Sequence, residues 1–193
     1  MDSGEIHGGD LRENPQFGTM SNKALDKRFE QTYAFLAKHL PAPARILDMG
    51  VNNPLAEFLR EKGYDIINTS GKDLDLYFDE VQRKDVSAVT AFEILEHLVA
   101  PFTVLREIQA DILIVTVPLR LWFARAYWNE KDPRDRHFHE FESRQFDWLL
   151  EKAGWKVEHS EMWISPSYKI GIRPLLRNFT PRYYAVVARR IKP

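Results

Sequence analysis

Apolar side chains between Leu25 and Leu40 recur every three or four residues, and this spacing predicts an amphipathic helix that ends before Pro41. Beyond it, short apolar runs bounded by Gly, Pro or Ser have the length of strands, and helix-patterned stretches separate them. The predicted strands are 44–50, 65–70, 86–92, 111–117, 155–164 and 183–191, and an alternating run over 73–78 is a short additional one. The predicted later helices are 53–63, 143–154, one beginning at Pro101, and an extra one over 119–128.

This order of elements predicts an α/β fold. Strands that alternate with helices form a mostly parallel, doubly wound sheet with helices on both faces. We interpret 22–193 as a single domain and 1–21, which is polar and rich in Gly and Pro, as a flexible segment. Ligands of such sheets bind at the carboxyl ends of the strands. Gly50, 68–75, 92–97 and the turn at Pro118 are therefore expected on one edge.

The composition of the chain argues against several classes of binding partner and binding site. The 193 residues carry a formal net charge of −1, so no general attraction to nucleic acid or membrane is expected. There is no cysteine, which excludes disulfides and thiolate metal sites. The polar, acidic start is unlike a signal peptide, and no apolar run is long enough to cross a bilayer. We expect a cytoplasmic protein.

The segment ILDMG, which ends at Gly50, is the first candidate for chemistry. A strand that ends in Asp48 and Gly50 brings bare backbone close to a ligand, because glycine has no Cβ. The dinucleotide fingerprint G-x-G-x-x-G and the P-loop spacing are both absent, which argues against a pyrophosphate cradle. Taken alone, the segment is equally typical of an ordinary turn from strand to helix.

Two further segments place titratable groups near the same edge. Glu93, Glu96 and His97 follow directly on a buried strand, where they either serve a ligand or begin a solvated helix. His137 and His139 lie farther along the chain with a carboxylate beside them. Two histidines and a carboxylate can bind a metal or accept a proton, but a hydrogen-bonded loop is the commoner outcome, so we expect no metal site.

Together these segments resemble the class I S-adenosylmethionine-dependent methyltransferases, of the small-molecule "methyltransferase domain" type. ILDMG is similar to the first motif of that superfamily, and FEILEHL is similar to the motif after its fourth strand. HEF, followed by a helix that ends in LLEKAGW, is similar to the approach to its sixth strand. The resemblance runs from about Ala44 to Val157. It implies a Rossmann-like sheet of the seven-stranded type, here lacking one helix because the segment between the second and fourth strands is short.

The resemblance implies S-adenosylmethionine as cofactor, held by residues at the ends of the first, second and fourth predicted strands and in the run over 73–78. They are Asp48, Gly50 and Asn52 under the methionine part, Asn68, Asp73 and Asp75 at the ribose or adenine, and Phe92 and Glu93 near the adenine and sulfonium. Two positions depart from the superfamily pattern. Asn52 and Pro54 replace the later glycines, and Asn68 replaces the acidic residue that usually ends the second strand.

The implied activity is O- or N-methyl transfer to a small molecule. His139, then His137 and His97, are the candidate bases that would deprotonate the acceptor. The nearby Arg120, Arg134 and Arg136 favour an anionic acceptor.

Two alternatives stay open. The changed glycine loop is also compatible with a catalytically inactive, methyltransferase-like binding protein. A different nucleotide-using enzyme, such as a dehydrogenase, is opposed by the missing dinucleotide fingerprint.

Overall fold

A computed structural model describes residues 22–165 and 171–191. The segment predicted to be flexible, 1–21, lies outside the described residues. The helices are α1 Asn22–His39, α2 Pro54–Glu61, α3 Pro101–Glu107, α4 Ser143–Lys152 and α5 Ile172–Arg177. The strands are β1 Arg45–Asp48, β2 Asp65–Asn68, β3 Ala88–Phe92, β4 Ile112–Pro118, β5 Trp155–Trp163 and β6 Tyr183–Arg190. Two short 3₁₀ helices span Phe78–Val81 and Leu95–His97.

The described strands form a single mixed sheet in the order β2-β1-β3-β4-β6-β5. All pairings among β2, β1, β3 and β4 are parallel, and β6 runs antiparallel to both of its neighbours. This confirms the predicted doubly wound α/β fold. Because Asp48 pairs with Thr90 across β1 and β3, the carboxyl ends of these two strands lie side by side.

The sheet has six described strands rather than seven, because the alternating run over 73–78 does not form a strand. It makes a turn followed by the first 3₁₀ helix. The backbone carbonyl of Asp73 accepts the N–H groups of Leu76 and Tyr77, and its side chain accepts that of Asp75. Aspartate in such local hydrogen bonds favours turns over strands. The helix expected to be missing from this connection is indeed absent from residues 69–87, which contain no α-helix.

Helices cover both faces of the sheet and enclose two apolar clusters. On one face, α1 and α2 bury Leu36 and Leu59 against Ile46 of β1. On the other face, α3 and α4 pack on the side chains that alternate with these along each strand. There the fully buried Trp155 donates its indole N–H to the Leu105 carbonyl at 2.9 Å.

The extra helix predicted over 119–128 does not form, and that prediction was wrong. Residues 119–142 run irregularly between β4 and α4, held by isolated bridges of Leu119 to Phe141 and Trp128 to Arg136. The aromatic side chains in this run do not form a buried helical face, since Trp122 is 76% exposed and Trp128 is 57% exposed. Among the residues that the structure describes, no helix is both long and apolar enough to span a membrane.

Candidate active site

Asp48 ends β1 with a buried carboxylate that is held by neutral donors. The Thr90 hydroxyl donates to one oxygen at 2.7 Å, and the Asn68 amide donates to the other at 3.2 Å. Burial raises the pKa of Asp48 to about 7, although both hydrogen bonds and the charge of Arg60 act to lower it. The carboxyl group is therefore near its titration midpoint at neutral pH. Its role is to fix the ends of three adjacent strands.

Gly50 follows in a left-handed conformation, with φ of 128°, which glycine adopts without strain. Its N–H donates to the Thr69 hydroxyl at 2.9 Å, and its carbonyl accepts the Asn68 amide at 3.2 Å. A second glycine, Gly71, packs against this loop so closely that an added Cβ would lie 2.5 Å from a methyl carbon of Val51. The turn after β2 therefore packs directly on the Val51 side chain of the loop after β1.

Pro54, one of the two residues in the positions expected for glycine, and its neighbour Asn53 have structural roles here. Asn53 caps α2, because its side-chain oxygen accepts the Ala56 N–H at 3.0 Å, and Pro54 occupies the first helical turn. The predicted position of Pro54 at the start of this helix is confirmed.

Arg60 is a residue that the sequence interpretation missed. From α2 its guanidinium donates to the side-chain oxygen of Asn52 at 2.6 Å and to that of Asn68 at 2.8 Å. It also forms an ion pair with Glu57 at 3.0 Å. Two of the predicted cofactor residues thus belong to a hydrogen-bonded network centred on one arginine. Helical spacing offered a signal, since residues 53, 57 and 60 recur on one face of α2.

The structure separates the two aspartates proposed for the ribose. Asp73 is exposed at the turn after β2, and its only described side-chain hydrogen bond is the local one to the Asp75 N–H. Asp75 accepts the N–H groups of Val99 and Ala100 at 2.7 and 2.8 Å. Those N–H groups directly precede α3, so Asp75 anchors the start of that helix and its two oxygens are occupied.

At the end of β3, Phe92 is buried and Glu93 adopts a left-handed conformation with φ of 58°, which is uncommon for a residue other than glycine. The Glu93 carboxylate pairs with Arg28 of α1 at 2.8 Å and accepts the Thr116 hydroxyl at 3.1 Å. Both partners of the ion pair are only 11% exposed in their side chains. Arg28 was also missed, although a charge three residues after Leu25, within the apolar stripe of α1, was a readable signal.

The 3₁₀ helix after β3 carries Glu96 and His97. The backbone carbonyl of Glu96 accepts the N–H groups of Phe138 and His139 at 2.8 and 3.2 Å, which ties the histidine-containing loop to this edge. Burial and the neighbouring Glu93 raise the pKa of Glu96 well above its ordinary value.

The three candidate bases lie around this turn. Burial, and then the neighbouring His137, lowers the pKa of His97. The rings of His97 and His137 are 5.0 Å apart, and His137 Nδ1 lies 3.0 Å from a Glu140 oxygen. His139 stands slightly apart, with Nε2 3.2 Å from the Val99 carbonyl and its ring stacked on Phe141.

All three arginines proposed for an anionic acceptor have partners within the chain. Arg120 pairs with Glu142 at 3.3 Å, and Arg134 pairs with Asp132 at 3.4 Å. Arg136 donates to the Asn129 carbonyl and lies over the Trp128 ring. No cluster of unpaired arginines therefore forms among them.

A family model described as "Methyltransferase domain" matches residues 21–160. This match covers most of the chain. The protein belongs to the methyltransferase-domain family. As the family implies, this methyltransferase is an S-adenosylmethionine-dependent enzyme, and the resemblance to such methyltransferases stated from the sequence is confirmed.

Solved structures of other methyltransferases share the fold. A SAM-dependent methyltransferase from Archaeoglobus fulgidus is 17% identical with a TM-score of 0.56, over 88% of this chain and all of that one. A SAM-dependent methyltransferase from Mesorhizobium loti is 14% identical with a TM-score of 0.58, over 94% of this chain and 100% of the other. A putative sarcosine dimethylglycine methyltransferase from Galdieria sulphuraria is 12% identical with a TM-score of 0.60, over 94% of this chain and 91% of the other. Comparison with curated protein sequences found no match.

Proposed function

We propose that the methyltransferase transfers a methyl group from S-adenosylmethionine to a small-molecule acceptor at the carboxyl edge of β1 and β3. The proposal depends on one observation: these strands are adjacent and parallel, so the loop at Gly50 and the turn from Glu93 to His97 meet at one edge. Ligands of doubly wound sheets bind at such an edge.

The residues present at this edge fit the cofactor. The left-handed Gly50 brings bare backbone to this edge, on which the methionine part would lie, and Gly71 lets the turn after β2 pack on Val51 beside it. The carboxylate of Asp73 is exposed and would accept the ribose hydroxyls, a role that Asn68 cannot fill while Arg60 holds it. Phe92 and Glu93 would border the adenine and sulfonium.

S-adenosylmethionine supplies a methyl group that is already activated, so the protein mainly orients the reactants and excludes water. His139 is the proposed base. Because a carbonyl can only accept, His139 Nε2–H donates to Val99, and Nδ1 is left as an acceptor for a proton. Exposed Trp122 and Phe138 in the same irregular segment offer apolar surface for an acceptor of small size.

The alternative, a relative that binds without turnover, has one observation in its favour. Arg60 engages both asparagines that stand where the superfamily has cofactor contacts, so these side chains are not free for the ligand. Turnover and binding must therefore be measured separately.

The test is a calorimetric titration of S-adenosylmethionine into the full-length protein and two variants. We expect a dissociation constant in the micromolar range for the wild type and a loss of about tenfold for Asp73→Ala, equal to about 1.4 kcal/mol. Asp65→Ala is the matched control, because Asp65 is also exposed but lies at the amino end of β2 and contacts Arg45. Undetectable wild-type binding contradicts the proposal, and equal affinities for both variants remove Asp73 from the site.

A discovery assay for the acceptor follows the release of S-adenosylhomocysteine in the presence of pooled small metabolites. The His139→Gln variant should bind S-adenosylmethionine as the wild type does but release product more slowly. Binding without product from any pool would favour the inactive alternative.

A further inference from the structure

Glu96 has a buried carboxylate to which the proposed methyl transfer assigns no role. Its side chain is 1% exposed, and neither carboxylate oxygen has a hydrogen-bond partner among the described residues. An unpaired carboxylate is costly to bury, and native structures rarely keep one without a partner. The missing partner is therefore expected to be a group that residues 22–165 and 171–191 do not supply.

Two histidines face this carboxylate. His97 Nε2 lies 3.9 Å from a Glu96 oxygen, and one potential ligand atom each from Glu96, His97 and His137 lie within 4.8 Å of one another. The sequence pattern pointed instead to His137 with His139 and Glu140. In the structure, Glu96 and His97 from the turn after β3 lie near His137 and take the place expected for His139. The Glu96 carbonyl accepts the N–H groups of Phe138 and His139, and these contacts hold the turn close to the loop.

Both imidazoles are already oriented for a cation. His97 Nδ1 lies 3.2 Å from the Arg136 carbonyl, and His137 Nδ1 lies 3.0 Å from the Glu140 carboxylate. Each acceptor requires a proton on Nδ1, so the lone pair of the neutral ring is on Nε2. Histidines that bind metal ions almost always donate their other N–H to a carbonyl or a carboxylate in this way.

We propose that Glu96, His97 and His137 bind a divalent transition-metal ion such as Zn²⁺, with Glu140 orienting His137. Two imidazoles and one carboxylate form a ligand set that suits such ions rather than Mg²⁺ or Ca²⁺. Bonds of about 2.1 Å place ligand atoms roughly 3.4 Å apart, so side-chain rotations of modest size complete the site. Three protein ligands leave a position for water or for an acceptor oxygen. The site does not depend on the proposed function.

The experiment uses untagged full-length protein, stripped with a chelator and titrated with Co²⁺ as a spectroscopic probe and then with Zn²⁺ as a competitor. We expect one Co²⁺ per chain, with visible absorption that Zn²⁺ abolishes. Affinity should fall at least tenfold in Glu96→Gln and His137→Gln, and about tenfold in Glu140→Gln, which touches the site only through His137.

His159→Gln is the matched control. It removes an imidazole of β5 that contacts Lys38 and Glu161 and does not belong to the proposed metal site. Equal Co²⁺ affinity in the wild type, Glu96→Gln and His137→Gln would overturn the proposal. Circular dichroism of Glu96→Gln, whose side chain has nearly the same shape, checks that loss of metal is not loss of fold.

A parallel titration of S-adenosylmethionine with chelator present separates the two proposals. A protein that binds the cofactor but no Co²⁺ refutes the metal site alone. One that binds Co²⁺ with the expected dependence on Glu96 but no cofactor supports the metal site and refutes the proposed function.

Discussion

Replacement of Asp48 by Asn should make the stability of the methyltransferase less dependent on pH. In the wild type, burial raises the pKa of this carboxyl from 3.8 to about 7. The folded protein therefore holds a proton that the unfolded chain has already released, and the free energy of unfolding falls as pH rises between these values. Asn has the same shape, accepts from Asn68, donates to Thr90 and cannot ionise.

The interval from 3.8 to about 7 corresponds to about 4 kcal/mol, at about 1.4 kcal/mol for each pH unit. A measurement that begins at pH 5 observes only the part of this free-energy change that occurs above pH 5. Between pH 5 and pH 8.5 the wild type should lose about 2.5 kcal/mol relative to Asp48→Asn, and the difference should level off above pH 8. Other titrating groups are common to both proteins and cancel in the comparison.

The assay is urea unfolding of both ligand-free proteins at half-unit steps of pH from 5 to 8.5, followed by circular dichroism. The reasoning is refuted if the free energy of unfolding of the wild type minus that of Asp48→Asn stays constant across this range, or if it increases as pH rises. Asp147→Asn provides a comparison, because burial also raises the pKa of this carboxyl, which is only partly buried beside the Tyr184 hydroxyl.

Three further outcomes are expected. Arg28→Met should cost about 3–5 kcal/mol in urea unfolding, because it leaves the buried Glu93 charge unpaired, and a second change of Glu93→Gln should recover much of the loss. No recovery would contradict the pairing. Gly71→Ala, with its Cβ 2.5 Å from a valine methyl carbon at φ of +85°, should weaken S-adenosylmethionine binding about tenfold in calorimetry. Gly63→Ala, at φ of +95° but with 3.7 Å of space, should cost about 1 kcal/mol of stability and bind normally. Asp75→Ala should lower stability by about 1 kcal/mol in thermal unfolding and leave cofactor affinity unchanged; weakened binding would return Asp75 to the cofactor site.

The sequence by itself determined the class of fold and the edge of the sheet on which the site is proposed. A continuous apolar run such as 112–118 buries its side chains on both faces only in a sheet that is covered by helices on both sides. The alternation of such runs with helical stretches predicts parallel pairing. Local chemistry was also readable: Pro54 begins a helix, and Gly63 and Gly154 adopt left-handed conformations beyond helix ends. These features depend on neighbours within a few residues.

Local patterns failed where distant groups decide the outcome. The run over 73–78 alternates like a strand, but it forms a turn. The Asp73 carbonyl accepts hydrogen bonds from residues within the run, and the Asp75 carboxylate accepts the Val99 N–H before α3. The apolar run over 119–128 has helical composition, but its aromatic side chains stay exposed, so no tertiary packing supports a helix.

Only the tertiary structure decided which side chains share the site. Arg28 contacts Glu93 from a helix that is far away in sequence. Arg60 contacts Asn68 because the geometry of α2 turns its side chain toward β2. No short motif encodes either contact. The meeting of Glu96 with His137 has the same origin, since 41 positions of chain separate them. Periodicity reports which face of an element is buried, whereas the pairing of two polar groups depends on how whole elements pack.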